Sequence, residues 1–250
     1  MTDPNYTHLA FLLDSSGSMH SIKSDVEGGF NAFITEQRSE PGRCTVSLSD
    51  FSGYSHHGNF AGGLVTAAKP VGQHLVEPQL DYRQLYVGKD ISEVPELMIS
   101  PRGNTALLDS IARMITETGA WLAAMPEDQR PGLVIFGIMT DGEENASREM
   151  NHAAIKALIN EQETKYNWVF NYLGANQDAI EEGAKMGIGA DMAATYAGGN
   201  AKGAMTAVSA SVAGMRTASS LGASYHSVRA AGAYDEGTRE SLLKGDPEAK

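Results

Sequence analysis

An apolar run near the amino terminus ends in a short loop of oxygen-bearing side chains. Residues 9–13 are apolar, and Asp14, Ser16 and Ser18 follow them at alternate positions. One carboxylate and two hydroxyls are hard oxygen donors, which suit Mg²⁺, Ca²⁺ or Mn²⁺. Met19 is the only soft donor in this loop, so zinc and copper are poor candidates. The loop therefore predicts a site for a hard divalent cation at the end of a strand.

Two later segments place similar side chains at the same kind of junction. Thr105 follows a turn at Gly103 and precedes a helical apolar stripe, and Asp141 follows the apolar run 133–139. A strand that is apolar throughout belongs in the middle of a parallel sheet covered by helices. Because α/β folds bind ligands at the carboxyl ends of such strands, both residues are candidates for the same site.

With these segments in this order, the chain resembles the von Willebrand factor A (vWA) domain and its metal-ion-dependent adhesion site. The matching pattern is Asp14-x-Ser16-x-Ser18, then Thr105, then Asp141. Stretches at 29–33, 140–147 and 173–179 look like the bacterial and bacteriophage branch of that family. The resemblance covers roughly residues 6 to 197. It implies an α/β fold with a doubly wound, mostly parallel, Rossmann-like central sheet flanked by helices.

The resemblance also implies a ligand set. Ser16, Ser18 and Thr105 would be hydroxyl ligands, while Asp14 and Asp141 would hold the ion through coordinated waters, or one of them directly. A hard cation takes six or more oxygens, so three hydroxyls and waters leave one position open. In the family, an acidic side chain of a partner protein fills that position. We therefore expect Mg²⁺, or Mn²⁺ or Ca²⁺, and a protein partner that presents Asp or Glu.

Each of these segments also has a purely structural interpretation. The Asp14 loop and Thr105 could serve only to cap helices, and Asp141 with Gly142 could form an ordinary turn. Glu143 and Glu144 suit a solvated rim or the first turn of a helix better than a metal site.

Composition restricts the classes of partner. The chain has 250 residues, 42% of them hydrophobic, which is enough for one compact α/β domain. It carries 19 basic and 31 acidic residues, for a net charge of −12. Nucleic acid is a poor partner because phosphate binding requires clustered Lys and Arg. Cys44 is the only cysteine, so the chain has no disulfide framework, and its alternating surroundings favour a buried side chain in a strand.

The amino terminus lacks a basic segment, and its apolar run is too short for a signal peptide or a membrane span. We therefore expect a cytoplasmic protein without a membrane partner.

Hydrophobic periodicity predicts an alternation of strands and helices, which favours parallel crossovers and a doubly wound sheet. The predicted strands are 7–13, 44–51, 132–139, 167–173 and 191–196, with a short hairpin strand at about 54–60. The predicted helices are 22–38, 105–124, 147–164, 176–186 and 200–219. Residues 61–100 are expected to be irregular, with modest helical stretches between prolines and glycines.

This pattern predicts three parts. Residues 1–197 form the vWA domain, residues 198–221 form a carboxyl-terminal helix that packs on it, and residues 222–250 form a polar tail without periodicity.

The preferred hypothesis is a non-enzymatic, cation-dependent protein-binding module. A metal-dependent phosphatase or hydrolase is a second hypothesis, because a metal near Asp14 could activate water. Against it, such phosphatases carry a second carboxylate at the position of Ser16. A structural assembly component, of a phage or a cell, in which the ion only joins loops is a third. Related cytoplasmic proteins often accompany AAA+ ATPases, so the resemblance also suggests such a partner.

Overall fold

The computed structural model describes residues 2–55 and 78–244. Its strands are β1 Asp3–Asp14, β2 Arg43–Ser55, β3 Gln79–Asp90, β4 Pro131–Thr140, β5 Val169–Ala175 and β6 Ala193–Tyr196. Its α-helices are α1 Lys23–Ser39, α2 Leu107–Ala123, α3 His152–Tyr166, α4 Ala179–Lys185, α5 Ala201–Ser220, α6 Tyr225–Ala231 and α7 Glu236–Leu243.

The six strands form one sheet in the order β3-β2-β1-β4-β5-β6. All neighbouring pairs are parallel except β2 and β3, which are antiparallel. The order reverses direction between β1 and β4, and doubly wound sheets bind ligands at such a switch point. The predicted fold class is therefore confirmed.

The central strands are apolar because helices cover both of their faces. Phe11 of β1 packs edge-on against Phe30 and Phe33 of α1. On the opposite face, the His8 ring lies 4.5 Å from the Trp121 ring of α2. Alternate residues of β1 thus enter different halves of the core, and the sheet is fixed from both sides.

Residues 79–90 differ from the expected irregular structure. They form β3, an edge strand whose register against β2 is interrupted by irregularities. Pairing with β2, a contact distant in sequence, overrides the local turn and helix signals. Of the expected hairpin strand at 54–60, Tyr54 and Ser55 belong to β2, and residues 56–60 lie outside the described part.

The carboxyl-terminal segment also differs from expectation. The predicted helix 200–219 is confirmed as α5, but residues that we assigned to a polar tail form α6 and α7. Val228, Tyr234 and Leu242 of this segment are buried. They are too far apart to produce a periodic signal, which explains why the sequence pattern missed them. Residues 245–250 lie outside the described part.

Helix α5 is joined to the domain by a buried arginine. The Arg216 guanidinium donates hydrogen bonds to Gln37 and to carbonyl oxygens of Pro41 and Gly42, just beyond the carboxyl end of α1. None of the helices in residues 2–55 and 78–244 combines the length and the apolar character of a membrane span.

Candidate metal centre

The first loop of the candidate site begins where β1 ends. The Ser16 backbone N–H donates to Asp14 Oδ1 over 2.6 Å, which turns the chain away from the sheet. A short 3₁₀ helix follows at Gly17–Ser21. The turn places Ser16 Oγ and Ser18 Oγ 3.0 Å apart. Asp14 and Ser16 are buried, whereas Ser18 is exposed, so the loop opens to solvent on one side.

The loop after β4 meets this first loop directly. Ser18 Oγ donates to Asp141 Oδ1 over 2.8 Å, and Thr140 Oγ1 donates to Asp14 Oδ2 over 2.6 Å. Because β1 and β4 are parallel neighbours, their carboxyl ends bring residues distant in sequence into contact.

Thr105 lies beside the same oxygens. A methyl group placed on Gly142 would be 3.1 Å from Thr105 Oγ1, 3.7 Å from Ser18 Oγ and 3.9 Å from Asp14 Oδ2. The structure therefore brings Asp14, Ser16, Ser18, Thr105 and Asp141 to one place. That they bind a metal ion remains a prediction.

Thr105 is held by the loop after β4 and does not begin the helix. Helix α2 starts at Leu107, two residues later than predicted. Its first turn is capped from outside, because Leu108 N–H donates to Glu144 Oε2 and Asp109 N–H donates to Ser147 Oγ. The Thr105 backbone N–H donates to Asn145 Oδ1 over 3.0 Å.

Two acidic residues that were not predicted to have this role position these loops. Glu144, which we expected at a solvated rim, accepts hydrogen bonds from backbone N–H groups of Leu108, Ala146 and Ser147. Asp109 accepts from three successive N–H groups, those of Arg148, Glu149 and Met150. This turn around Asp109 delays the start of α3. The sequence signal for the role of Asp109 was a carboxylate within the otherwise apolar start of α2.

The two carboxylates of the centre carry unbalanced charge. Burial raises the pKa of Asp14 to about 6, and burial also raises the pKa of Asp141. Within residues 2–55 and 78–244, no Lys, Arg or His forms an ion pair with either side chain. A divalent cation would supply the missing positive charge.

The donor set suits a hard ion. In the described part of the chain, no group of three or more His, Cys, Asp or Glu side chains could hold a metal ion. Met19 is fully buried in the core. Neighbouring ligands of an octahedral Mg²⁺ are about 2.9 Å apart. The Ser16–Ser18 and Ser18–Asp141 oxygen pairs, at 3.0 and 2.8 Å, have that spacing, which is also the spacing of the hydrogen bonds that join them.

No protein-family model matches the chain, and the search of curated proteins found no match. Among solved structures, the chain is similar to a von Willebrand factor type A protein from Catenulispora acidiphila, with a TM-score of 0.50 and 13% identity over 83% of this chain and 43% of that chain. It is also similar to proximal thread matrix protein 1 from the mussel byssus, with a TM-score of 0.48 and 15% identity over 86% and 46% of the two chains.

A second structure of the mussel protein, with a zinc-occupied MIDAS motif, has a TM-score of 0.45 and 13% identity over 77% of this chain and 41% of that chain. The chain thus spans less than half the length of each of these structures. At such low identity the similarity concerns the fold alone. The sheet order, the flanking helices and the Catenulispora match lead to one conclusion: the chain has the fold of a von Willebrand factor type A domain.

Proposed function

We propose that this protein is a non-enzymatic, divalent-cation-dependent protein-binding module. Asp14, Ser16, Ser18, Thr105 and Asp141 hold the ion, and an acidic side chain of a partner protein completes its coordination. The observation that carries this proposal is that Asp14 is buried beside the half-buried Asp141, and that neither has an ion-pair partner among the described residues. Buried charges are ordinarily paired or bound to metal, so the arrangement favours a cation.

The open side of the centre supports a role in binding. Gly17 and Ser18 are exposed, and Asp141 is half-buried, so an incoming carboxylate has access to the ion. A charge pair 4 Å apart near a protein surface is worth about 4 kcal/mol, and a divalent ion roughly doubles that Coulomb energy. Desolvation and ordering reduce it substantially. One partner Asp or Glu is nevertheless enough to decide whether binding occurs.

The surrounding basic side chains support binding over phosphate chemistry. A phosphatase needs a cationic group to hold the substrate phosphate, and among the described residues Arg102 and Lys23 lie next to these loops in sequence. Arg102 pairs with Asp50 and Asp81, and Lys23 lies 3.7 Å from Glu27. Both cations therefore already have carboxylate partners.

The remaining parts of the proposal follow from the vWA resemblance. We place the binding function in residues 1–197 and treat the carboxyl-terminal helices as support for that domain. Mg²⁺ is the preferred ion, with Mn²⁺ and Ca²⁺ as alternatives. An AAA+ ATPase or an assembly component as partner and a bacterial or phage origin remain predictions of the same kind. A cytoplasmic location remains a separate prediction.

Calorimetric titration of Mg²⁺ and Mn²⁺ tests the metal site. We expect the wild-type protein to bind either ion, Asp14→Ala to lose binding, and Ser92→Ala, which changes an exposed serine beside Asp90, to retain it. Equal binding by wild type and Asp14→Ala would refute the site.

Capture of partners from a lysate tests the binding function. Immobilised wild-type protein in Mg²⁺ should retain a partner that EDTA releases, and Asp14→Ala should not retain it. Because a carboxylate of the partner coordinates the ion, replacing the acidic residues of the captured partner should abolish its retention. A partner that stays bound in EDTA would favour the assembly role instead.

A further inference from the structure

A charge-balanced ion cluster joins β2, β3 and the segment before α2, next to the loop that carries Ser16. The Asp50 carboxylate is fully buried and forms ion pairs with both Arg83 and Arg102. Arg102 also pairs with Asp81, with its Nε 2.7 Å from Asp81 Oδ2 and its Nη2 2.9 Å from Asp81 Oδ1. Two guanidinium groups thus balance two carboxylates, in contrast to the unbalanced Asp14 and Asp141.

This cluster is connected to the first ligand loop. Ser15 Oγ donates to Asp50 Oδ2 over 3.1 Å, and the Ser15 backbone N–H donates to the Phe51 carbonyl over 2.8 Å. Ser15 lies between Asp14 and Ser16, and its side chain is fully buried. The orientation of the loop that carries Ser16 and Ser18 is therefore set by its attachment to Asp50.

The same cluster is connected to the second ligand loop. The Arg102 backbone N–H donates to the Ser15 carbonyl over 2.7 Å, and Gly17 N–H donates to the Gly103 carbonyl over 3.1 Å. Arg102 is three residues before Thr105, so its side-chain pairing with Asp50 fixes the start of the segment that carries Thr105. Asp50 thereby holds both loops through Ser15 on one side and Arg102 on the other.

We propose that Asp50 is a positioning residue that sets the spacing between the Ser16–Ser18 loop and the Thr105 loop, and so makes the centre selective for Mg²⁺ over Ca²⁺. The inference rests on the proposed metal-binding function. Mg²⁺ requires nearly ideal octahedral geometry at short distances, whereas Ca²⁺ accepts longer and more variable ones. Loops that are rigidly joined can provide the strict geometry that Mg²⁺ requires. Loops that move apart can provide only the looser geometry that Ca²⁺ accepts.

The test compares Mg²⁺ and Ca²⁺ affinities of wild type, Asp50→Asn and Ser15→Ala by calorimetry. Loss of outer-shell support typically weakens metal binding by 10- to 100-fold, so we expect a loss of about that size for Mg²⁺ in Asp50→Asn. The Ca²⁺ affinity should change by no more than about threefold, because its geometry is less demanding. Ser15→Ala removes one hydrogen bond from the same connection and should shift the ratio in the same direction by a smaller amount.

A remote ion pair supplies the matched control. Arg229 pairs with Asp191 and Glu163 far along the chain, and Asp191→Asn removes the first of these two ion pairs without changing either ligand loop. This variant should keep the wild-type ratio of Mg²⁺ to Ca²⁺ affinity. The double variant Ser15→Ala with Asp50→Asn should be no worse than Asp50→Asn alone, since both act through one connection.

The outcomes separate the two proposals. Failure of wild type to bind either ion would overturn the metal site itself. If the wild type binds and the ratio of Mg²⁺ to Ca²⁺ affinity is unchanged in both Ser15→Ala and Asp50→Asn, only the role of Asp50 is overturned. The same conclusion follows if this ratio falls as much in Asp191→Asn as in Asp50→Asn. Should Asp50→Asn fail to fold, the ratio in Ser15→Ala decides.

Discussion

Thr140 donates its hydroxyl proton to the buried carboxylate of Asp14 over 2.6 Å, across the junction of β1 and β4. Both side chains are fully buried. The bond connects the last residue of one central strand to the last residue of its neighbour, at the sheet's switch point. The ionised form of Asp14 therefore depends on a partner that is not itself among the proposed ligands.

Thr140→Val tests this dependence, because valine keeps the shape and removes the donor. Losing a hydrogen bond to a charged group should destabilise the folded protein by about 1.5 to 3 kcal/mol. The Mg²⁺ affinity should fall about tenfold through weaker support of Asp14. Urea unfolding and calorimetry measure the two effects. Thr140→Ser retains the hydroxyl and should stay close to wild type, and a similar loss in both variants would contradict the role of the hydroxyl.

Asp14→Asn should stabilise the metal-free protein while abolishing its response to Mg²⁺. Burial raises the pKa of Asp14 from 3.8 to about 6 in the folded state, so the folded protein holds this proton more tightly than the unfolded chain does. The contribution of the protonated Asp14 side chain to the free energy of unfolding is greatest below pH 3.8 and is lost as the pH rises through 6. In EDTA, the advantage of Asp14→Asn over wild type should therefore increase by roughly 1.4 kcal/mol between pH 5 and pH 8.

The measurement is urea unfolding of both proteins in EDTA at the two pH values, repeated at pH 8 with Mg²⁺. Comparing two proteins at each pH cancels the titration of the other groups. In Mg²⁺ the wild type should become the more stable of the two proteins, because the ion binds and stabilises only the wild type. A difference that is constant with pH would show that the charge of Asp14 carries no cost.

Gly142→Ala should block the metal centre without unfolding the protein. The added methyl group would lie within 4 Å of Thr105 Oγ1, Ser18 Oγ and Asp14 Oδ2, in the space that these oxygens share. We expect the Mg²⁺ affinity to fall by at least about tenfold, as it does when groups around a metal ligand are disturbed.

Gly28→Ala is the control for this substitution. Gly28 lies in α1, and nothing is within 4 Å of a methyl group placed there. It should leave Mg²⁺ binding unchanged and raise stability by about 0.5 to 1 kcal/mol through helix propensity. Undiminished Mg²⁺ binding by Gly142→Ala would place the ion elsewhere.

Two adjacent leucines test whether the carboxyl-terminal helices belong to the fold. Leu242 is 2% exposed and Leu243 is 57% exposed. Leu242→Ala should cost about 2 to 5 kcal/mol of unfolding free energy, as for other buried leucines. Leu243→Ala should change it by less than about 0.5 kcal/mol. Urea unfolding measures the change in unfolding free energy for both variants. Small changes in both would show that this segment is a polar tail, as its composition suggested.

The candidate centre could be predicted from sequence because its ligands follow strands with a strong hydrophobic signal. Asp14 ends β1 and Asp141 directly follows β4, both strands are largely buried, and parallel strands bring those ends together. Thr105 was a candidate because it follows a Gly turn and precedes a helical stripe, and the family resemblance then implied its role as a ligand.

The supporting residues could not be predicted in this way. Asp50 pairs with Arg83 through the antiparallel edge strand β3, whose local signal suggested irregular structure. Glu144 and Asp109 act on backbone N–H groups of a segment distant in sequence. Such partners depend on which loops meet in three dimensions, and hydrophobic periodicity carries no information about that.

Helix α1 begins at Lys23, soon after the turn that carries Ser16 and Ser18, and its first turn contacts the start of α5. The Asp25 carboxylate of α1 accepts from the Ala201 and Lys202 N–H groups at the start of α5, over 2.6 and 3.3 Å. The start of α1, which follows the serine-bearing turn, is therefore joined directly to the start of α5.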